Sequence, residues 1–441
     1  MFEFLKSKIN QNKVIFSGMV IVSFGSVFSS FLNYYFNFYI QSLFPDFTNF
    51  GNFSFLMTVL MFSQIIPLSI AGSLNLVVTE LKVLKDFSRL THLYIKMLVL
   101  YGLMGFFLGV TVFSLAEVIS NQFKVGNTFY VQLLAISIFI STLNVPVMSF
   151  LYGMLRFKSY ALMVILAPLL KLILITFLYY MGFSFISILY TFILTSVLTF
   201  IVGNFLLLQD YDSEFKVTNV NIYLKRVFFV SMPILFITLG NYLINNVDFL
   251  IVKANFSEEI SGKYGYLQNL GKIYFFGSLL FVGAMVPQIT EAYNQKKKYF
   301  NLLFFYGKIV TAISLVGLIT LGLFTRQFLD FFVYFSSLIG LRLESLMFYY
   351  QVESFVPLYT LFTFLIILIN FLVYFLIAIS RVRIFLVFII AIMFQTILIL
   401  NFGKDIFSVL YCNIFVGILL LIYLIFEVYG KYVDFNNSSR L

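Results

Sequence analysis

The chain has 441 residues, of which 61% are hydrophobic and only 10% charged, and its mean hydropathy is +1.02. A soluble globular chain carries about 25% charge, so the composition excludes a soluble domain and points to an integral membrane protein. The net charge of +10 is not a nucleic-acid footprint, because the basic residues sit in short clusters between apolar runs, where they encode topology.

The start, MFEFLKSKINQNK, leads into a helix too long for a signal-peptide core and is expected to be retained. Apolar runs long enough to cross a hydrocarbon core as helices follow at roughly 14–38, 53–78, 94–116, 129–154, 158–181, 183–208, 227–251, 264–290, 302–325, 353–379, 384–401 and 406–428. Alternating ten-residue strands are absent, which argues against an outer-membrane barrel. The expected fold is therefore an all-α polytopic membrane protein of about 12 transmembrane helices. With the amino terminus in the cytoplasm, 20 of the 28 Lys and Arg residues fall on that side. Six fall on the other (Lys124, Lys253, Lys263, Arg326, Arg342 and Lys404), and Lys171 and Lys272 lie inside spans. That excess predicts both termini in the cytoplasm.

Two internal echoes divide the chain. Gly51–Glu80 lies without a gap over Gly262–Glu291 at an offset of 211, matching Gly51 to Gly262, Leu56 to Leu267, Gly72 to Gly283 and Thr79-Glu80 to Thr290-Glu291. Leu151–Lys158 lies over Leu376–Arg383 at an offset of 225, placing Arg156 and Lys158 over Arg381 and Arg383. The segment 326–350 can hold the extra residues, and its Phe, Leu and Tyr content predicts short interfacial helices. A polar break at Gln209–Arg226 reads as a linker, giving an amino-terminal six-helix lobe over 1–208, a cytoplasmic linker over 209–226 and a carboxy-terminal lobe over 227–441. Six helices per half make the two bundles pseudo-symmetric about an axis along the membrane normal.

Polar groups inside spans are costly and must face another helix or water. Ser26, Ser30, Asn33 and Asn37 form one helical face of the first span, and Asn241, Asn245 and Asp248 form one face of the seventh. Tyr264, Gln268 and Lys272 share a side of the eighth. These stripes fit either interhelical hydrogen bonding or a hydrated cavity. Lys171, midway in the fifth span, and Lys272 are the deep positive charges; each needs a structural partner or contacts an anionic substrate. Glu80 and Glu291 occupy equivalent helix ends, suited to a structural or gating role or to proton coupling. Pro67, Pro146, Pro168, Pro233 and Pro287 lie within spans and can kink them.

Enzyme signatures are missing, and the chain is not expected to be an enzyme. His92, the single histidine, has no nucleophile in recognisable context. There is no P-loop, and Cys412, the single cysteine, leaves no disulfide framework or Cys/His metal site. No cofactor or metal is expected.

The stretches Asn246–Lys272 (NVDFLIVKANFSEEISGKYGYLQNLGK) and Tyr152–Lys171 (YGMLRFKSYALMVILAPLLK), with the six-plus-six plan, resemble those of polysaccharide exporters of the multidrug/oligosaccharidyl-lipid/polysaccharide (MOP) superfamily, specifically Wzx-type O-antigen flippases. The resemblance implies translocation of undecaprenyl-diphosphate-linked repeat units from the cytoplasmic to the periplasmic leaflet of a bacterial inner membrane, by alternating access coupled to an ion gradient. Its implied partners are the lipid-linked oligosaccharide, membrane lipids, and the polymerase and chain-length regulator of the same pathway, with no nucleic acid. Lys171 and Lys272 would meet the anionic head group, and Asn33, Asn37, Asn241, Asn245, Asp248 and Gln268 would line the same space. A cation-coupled multidrug exporter of the same fold is the nearest alternative, although spans one to six hold no deep acid. An O-antigen polymerase is the enzyme alternative, but the outer loops here are short. A peptidoglycan-precursor flippase would usually carry two more helices.

Overall fold

The computed structural model describes residues 2–208, 219–295, 299–338, 340–341, 346–379 and 384–438. Several expected features lie outside them: most of the linker (209–218), the basic run Lys296–Lys298, and Lys216, Arg342, Arg381, Arg383 and Arg440. The side chains of Lys6, Lys8, Lys13, Pro233, Gly283 and Pro287 also fall outside. Among the described residues the chain is helical throughout, without strands.

In chain order the helices are α1 (Phe2–Leu43), α2 (Phe47–Ser63), α3 (Ile65–Val83), α4 (Phe87–Ser114), α5 (Ala116–Gln122), α6 (Thr128–Gly153), α7 (Phe157–Tyr180) and α8 (Ser187–Leu207). They continue with α9 (Asn221–Ile244), α10 (Val247–Asn255), α11 (Glu258–Asn294), α12 (Tyr299–Gly317, extended by a π-helical turn over Leu318–Leu323) and α13 (Thr325–Leu338). A 3₁₀ segment (Met347–Phe355) then runs into α14 (Val356–Ala378), followed by α15 (Ile384–Phe402) and α16 (Ile406–Ser438). Ten helices among the described residues are long and apolar enough to cross a membrane. The expected first and eighth spans lie within α1 and α11, which are 42 and 37 residues long. The segment expected as short helices after span nine forms α13 and the 3₁₀ turns.

Two expected spans are interrupted. The second breaks at Gln64, because Pro67 has no N–H to give the Ser63 carbonyl and its ring crowds the preceding turn. The seventh breaks after Ile244, where Asn245 and Asn246 turn their side-chain amides back onto the carbonyls of Asn241 and Tyr242, at 2.5 and 2.9 Å. Asparagines that bond their own backbone compete with the helix ladder. Asp248 therefore belongs to a different helix from Asn241 and Asn245, and the single stripe expected from their spacing is divided.

The chain forms two compact units, Met1–Phe38 with Leu56–Leu235 and Tyr39–Phe55 with Phe236–Leu441. These bounds differ from the expected lobes in that the end of α1 and the start of α2 group with the second unit, and α9 as far as Leu235 with the first. In the first unit α6 packs against α3, α4 and α8, and its core gathers Leu74, Val78, Leu93, Met97, Val147 and Phe150. Gly105 and Gly109 let α4 approach closely, since a Cβ on either would stand 3.0 Å from a carbonyl oxygen of α6. Small residues spaced in this way are how helices associate where water supplies no driving force. In the second unit α14 is the central helix, packed against α11, α12 and α16.

The echo recurs as structure. Thr79 Oγ1 donates to the Gly153 carbonyl at 2.9 Å in the first unit, and Thr290 Oγ1 donates to the Ala378 carbonyl at 3.3 Å in the second. The threonines are 211 apart and their acceptors 225 apart, the two offsets read from the sequence.

Candidate functional site

In the first unit the polar stripe of α1 meets α7. Asn33 donates its amide to the Ser29 carbonyl at 3.0 Å, which aims its Oδ1 outward to accept from Lys171 Nζ at 3.1 Å. The ammonium also lies over the rings of Phe36 and Phe192, 5.9 and 5.7 Å from their centroids, within the range of a cation–π contact. Ser30 bonds back to the Ser26 carbonyl, and Asn37 is half-buried one turn beyond Asn33.

The second unit holds two polar groupings. Lys272 Nζ donates to Gln268 Oε1 at 3.4 Å, and Gln268 Nε2 donates to Asn246 Oδ1 at 3.3 Å, so α11 and the α9–α10 break are tied by amides. Asn241 accepts from Asn245 at 3.1 Å, one turn away. The second grouping surrounds Asp248, which is 1% exposed. Its Oδ2 accepts from Tyr264 Oη at 2.5 Å and from Asn413 Nδ2 at 2.9 Å, and its Oδ1 from the Phe249 N–H at 2.7 Å. Asn413 accepts in turn from Gln395 Nε2 at 2.9 Å. Asp248 stands in the first turn of α10, where the helix dipole favours an anion. The break in span seven therefore creates the helix start that the carboxylate uses.

The structure thus joins Lys171 to Asn33, Lys272 to Gln268, and Asn241 to Asn245. It sets Asp248 in its own network, and no ion pair links it to Lys272 among the described residues. Helix ends carry ion pairs, as between Arg226 and Glu80 at 2.5 Å. Glu80 is half-exposed there, and Glu291 is exposed, accepting from Gln295 at 3.0 Å.

A third cluster was not anticipated. Lys253, read from the sequence as an outer-loop residue, is 1% exposed in α10, and its Nζ donates to Asn52 Oδ1 at 2.7 Å. Asn269 and Tyr349 both donate to Gln41 Oε1 nearby in the same unit. Beside them α2 crosses α11 at the first matched pair of the echo: a Cβ on Gly51 would stand 3.1 Å from the Gly262 nitrogen, and one on Gly262 would stand 2.0 Å from the Phe47 carbonyl oxygen. The available signal was Lys253 closing the apolar run VDFLIVK, which reads equally well as a helix end. Asn413 and Gln395 carried none, being single amides in apolar runs.

The family described as polysaccharide biosynthesis protein matches residues 48–276. No curated protein matches the chain in sequence. Among solved structures, an inward-facing multidrug resistance MATE family transporter of the MOP superfamily superposes with a TM-score of 0.73 at 15% identity, covering 91% of this chain and 95% of that one. An outward-facing form of such a transporter gives 0.61 at 15% identity, with 95% and 96% covered. A MOP superfamily transporter from Pyrococcus furiosus Vc1, described as having a binding pocket of reverse polarity that suggests a different function, gives 0.62 at 14% identity, again with 95% and 96% covered. Matched by that family over more than half its length and sharing the MOP transporter fold over nearly all of it, the chain is a multi-pass membrane protein that belongs to the polysaccharide biosynthesis protein family.

Proposed function

We propose that the protein is a flippase that carries undecaprenyl-diphosphate-linked O-antigen or related polysaccharide repeat units from the cytoplasmic to the periplasmic leaflet of a bacterial inner membrane by alternating access. The observation that carries this reading is the state of the two intramembrane lysines. Each is held by an amide oxygen, Lys171 by Asn33 and Lys272 by Gln268, and neither is neutralised by a carboxylate among the described residues. Ammonium groups kept in that way suit an anion that arrives and leaves, since a resident carboxylate would compete with the diphosphate. The half-buried amides of Asn37, Asn241 and Asn245 suit sugar hydroxyls. Asp248, buried and already hydrogen-bonded, is the acid we assign to ion coupling, ahead of the exposed Glu80 and Glu291. We assign both termini to the cytoplasm on the excess of basic residues on that side of the sequence. The polymerase and chain-length regulator of the same pathway are the proposed partners.

The test is complementation of a strain that lacks its own flippase. Lys272→Ala and Lys171→Ala should each cut surface polysaccharide roughly ten- to hundredfold, the worth of one charge-assisted hydrogen bond, at unchanged membrane levels. Wild-type surface polysaccharide from both variants would reject the reading. Drug resistance conferred by the wild-type chain, without polysaccharide export, would favour the exporter alternative.

A further inference from the structure

A groove of about 780 Å³ opens on the second unit among α12, α14 and α16. Its walls are apolar, Phe304, Gly307, Phe371 and Tyr429 among them, apart from Lys308, Thr311 and the tyrosine hydroxyls, and among the described residues no carboxylate lines it. Phe304 and Tyr429 are more than half exposed; in a chain that crosses a membrane, faces of this kind meet lipid. On α12 the lining runs from residue 300 to residue 315, about 22 Å of helix. That length covers the roughly 15 Å hydrocarbon depth of one leaflet and the interface above it.

The two ends of the groove differ. Near the start of α12, Phe304 meets the ring of Tyr432 edge-on at 6.0 Å and Phe300 meets it at 5.1 Å, an aromatic collar of the kind found at membrane–water interfaces. The helix geometry directs Lys308 toward that same end, because helical side chains tilt toward their own amino terminus, and a lysine stem can snorkel along an apolar wall while its charge stays near the head groups.

We propose that this groove is a binding site for an anionic phospholipid of the leaflet on the side of the α12 start, with an acyl chain lying between α12, α14 and α16 and the phosphate on Lys308. The leaflet is the cytoplasmic one in the orientation proposed above. The site is separate from the intramembrane lysines: among the described residues Lys308 is the cation that lines it, and the rest of its lining is apolar or hydroxyl-bearing.

The experiment uses the purified full-length chain in phosphatidylcholine vesicles doped with photoactivatable phosphatidylglycerol or, in parallel, photoactivatable phosphatidylcholine, with labelled peptides located by mass spectrometry. Wild type should be labelled in 300–315 and 425–432, about fivefold more by phosphatidylglycerol, as one lysine near an anionic surface provides. Lys308→Ala should bring the two lipids level while labelling persists. Ala312→Phe, which fills the groove, should lower labelling by both, with circular dichroism and elution unchanged. Equal labelling of wild type by the two lipids, or labelling unmoved by both variants, would overturn the assignment. Displacement of the label by a polyprenyl diphosphate at lower concentration than by phosphatidylglycerol would give the groove to the transported lipid instead. None of these readouts requires transport, so the flippase reading and this one can fail separately.

Discussion

Asp248 is tolerated inside an apolar bundle because three donors converge on it: the Tyr264 hydroxyl, the Asn413 amide and the Phe249 N–H. A buried polar group left without its partner costs about 1–3 kcal/mol. Asp248→Leu should therefore destabilise the second unit by about 1–3 kcal/mol, since it leaves the Tyr264 O–H without its acceptor, while Asn413 Nδ2 keeps only its bond to Tyr264 Oη at 2.9 Å. Asp248→Asn keeps an acceptor for the tyrosine and should cost less. The lone thiol of Cys412, buried on α16 next to Asn413, supplies the readout, as its reactivity with a fluorogenic maleimide on heating reports unfolding. Equal midpoints for the two variants would contradict the network. The same rule explains why Lys253 can be buried: Asn52 meets its charge, although a lysine near a helix end is ordinarily expected in water.

Individual helices are fixed by close approach and by capping. Gly262 has no room for a side chain, so Gly262→Ala must push α11 away from the Phe47 carbonyl, and overpacking of this kind costs about 1–3 kcal/mol. Gly72→Ala, where a Cβ meets nothing, is the matched control; a Gly262→Ala melt no lower than the control would refute the contact. At the start of α16, Asp405 accepts from the Ser408 N–H at 2.8 Å while Ser408 Oγ accepts from the Asp405 N–H at 2.9 Å, a reciprocal cap. These bonds hold the Asp405 carboxyl below the ordinary carboxylate range. A carboxylate with its folded pKa lowered stabilises the fold above its unfolded pKa of about 3.9, and that gain is lost as pH falls through the folded value. Asp405→Ala should lower stability by about 1 kcal/mol near neutral pH, and the difference from wild type should shrink below about pH 4. A pH-independent difference in the melting curves would show that the cap is not responsible.

At the scale of the molecule, repetition is the organising fact. Thr79 and Thr290 make the same bond in different units, so Thr79→Val and Thr290→Val should each cost about 1 kcal/mol in thermal unfolding. An effect from one alone would break the equivalence. Hydropathy made most of the spans legible without coordinates, because in lipid every backbone polar group must be satisfied within a helix or a closed barrel and apolar runs of this length suit the helix. The echo at 211 and then 225 was legible for a related reason, since equivalent helices keep equivalent glycines and threonines where they touch. The lysines Lys171 and Lys272 stood out because charge in an apolar run is conspicuous. Only the tertiary structure decided their partners: Asn33 and Gln268 look like any other amide in the sequence, and Asn413 lies 165 residues from the aspartate it serves. It also moved Lys253 from a loop to a buried bond and interrupted the seventh span, which sets Asp248 at the start of a helix. Periodicity records which face of a helix is apolar, whereas the pairing of polar groups depends on which helices meet, and that is settled by packing across the whole chain.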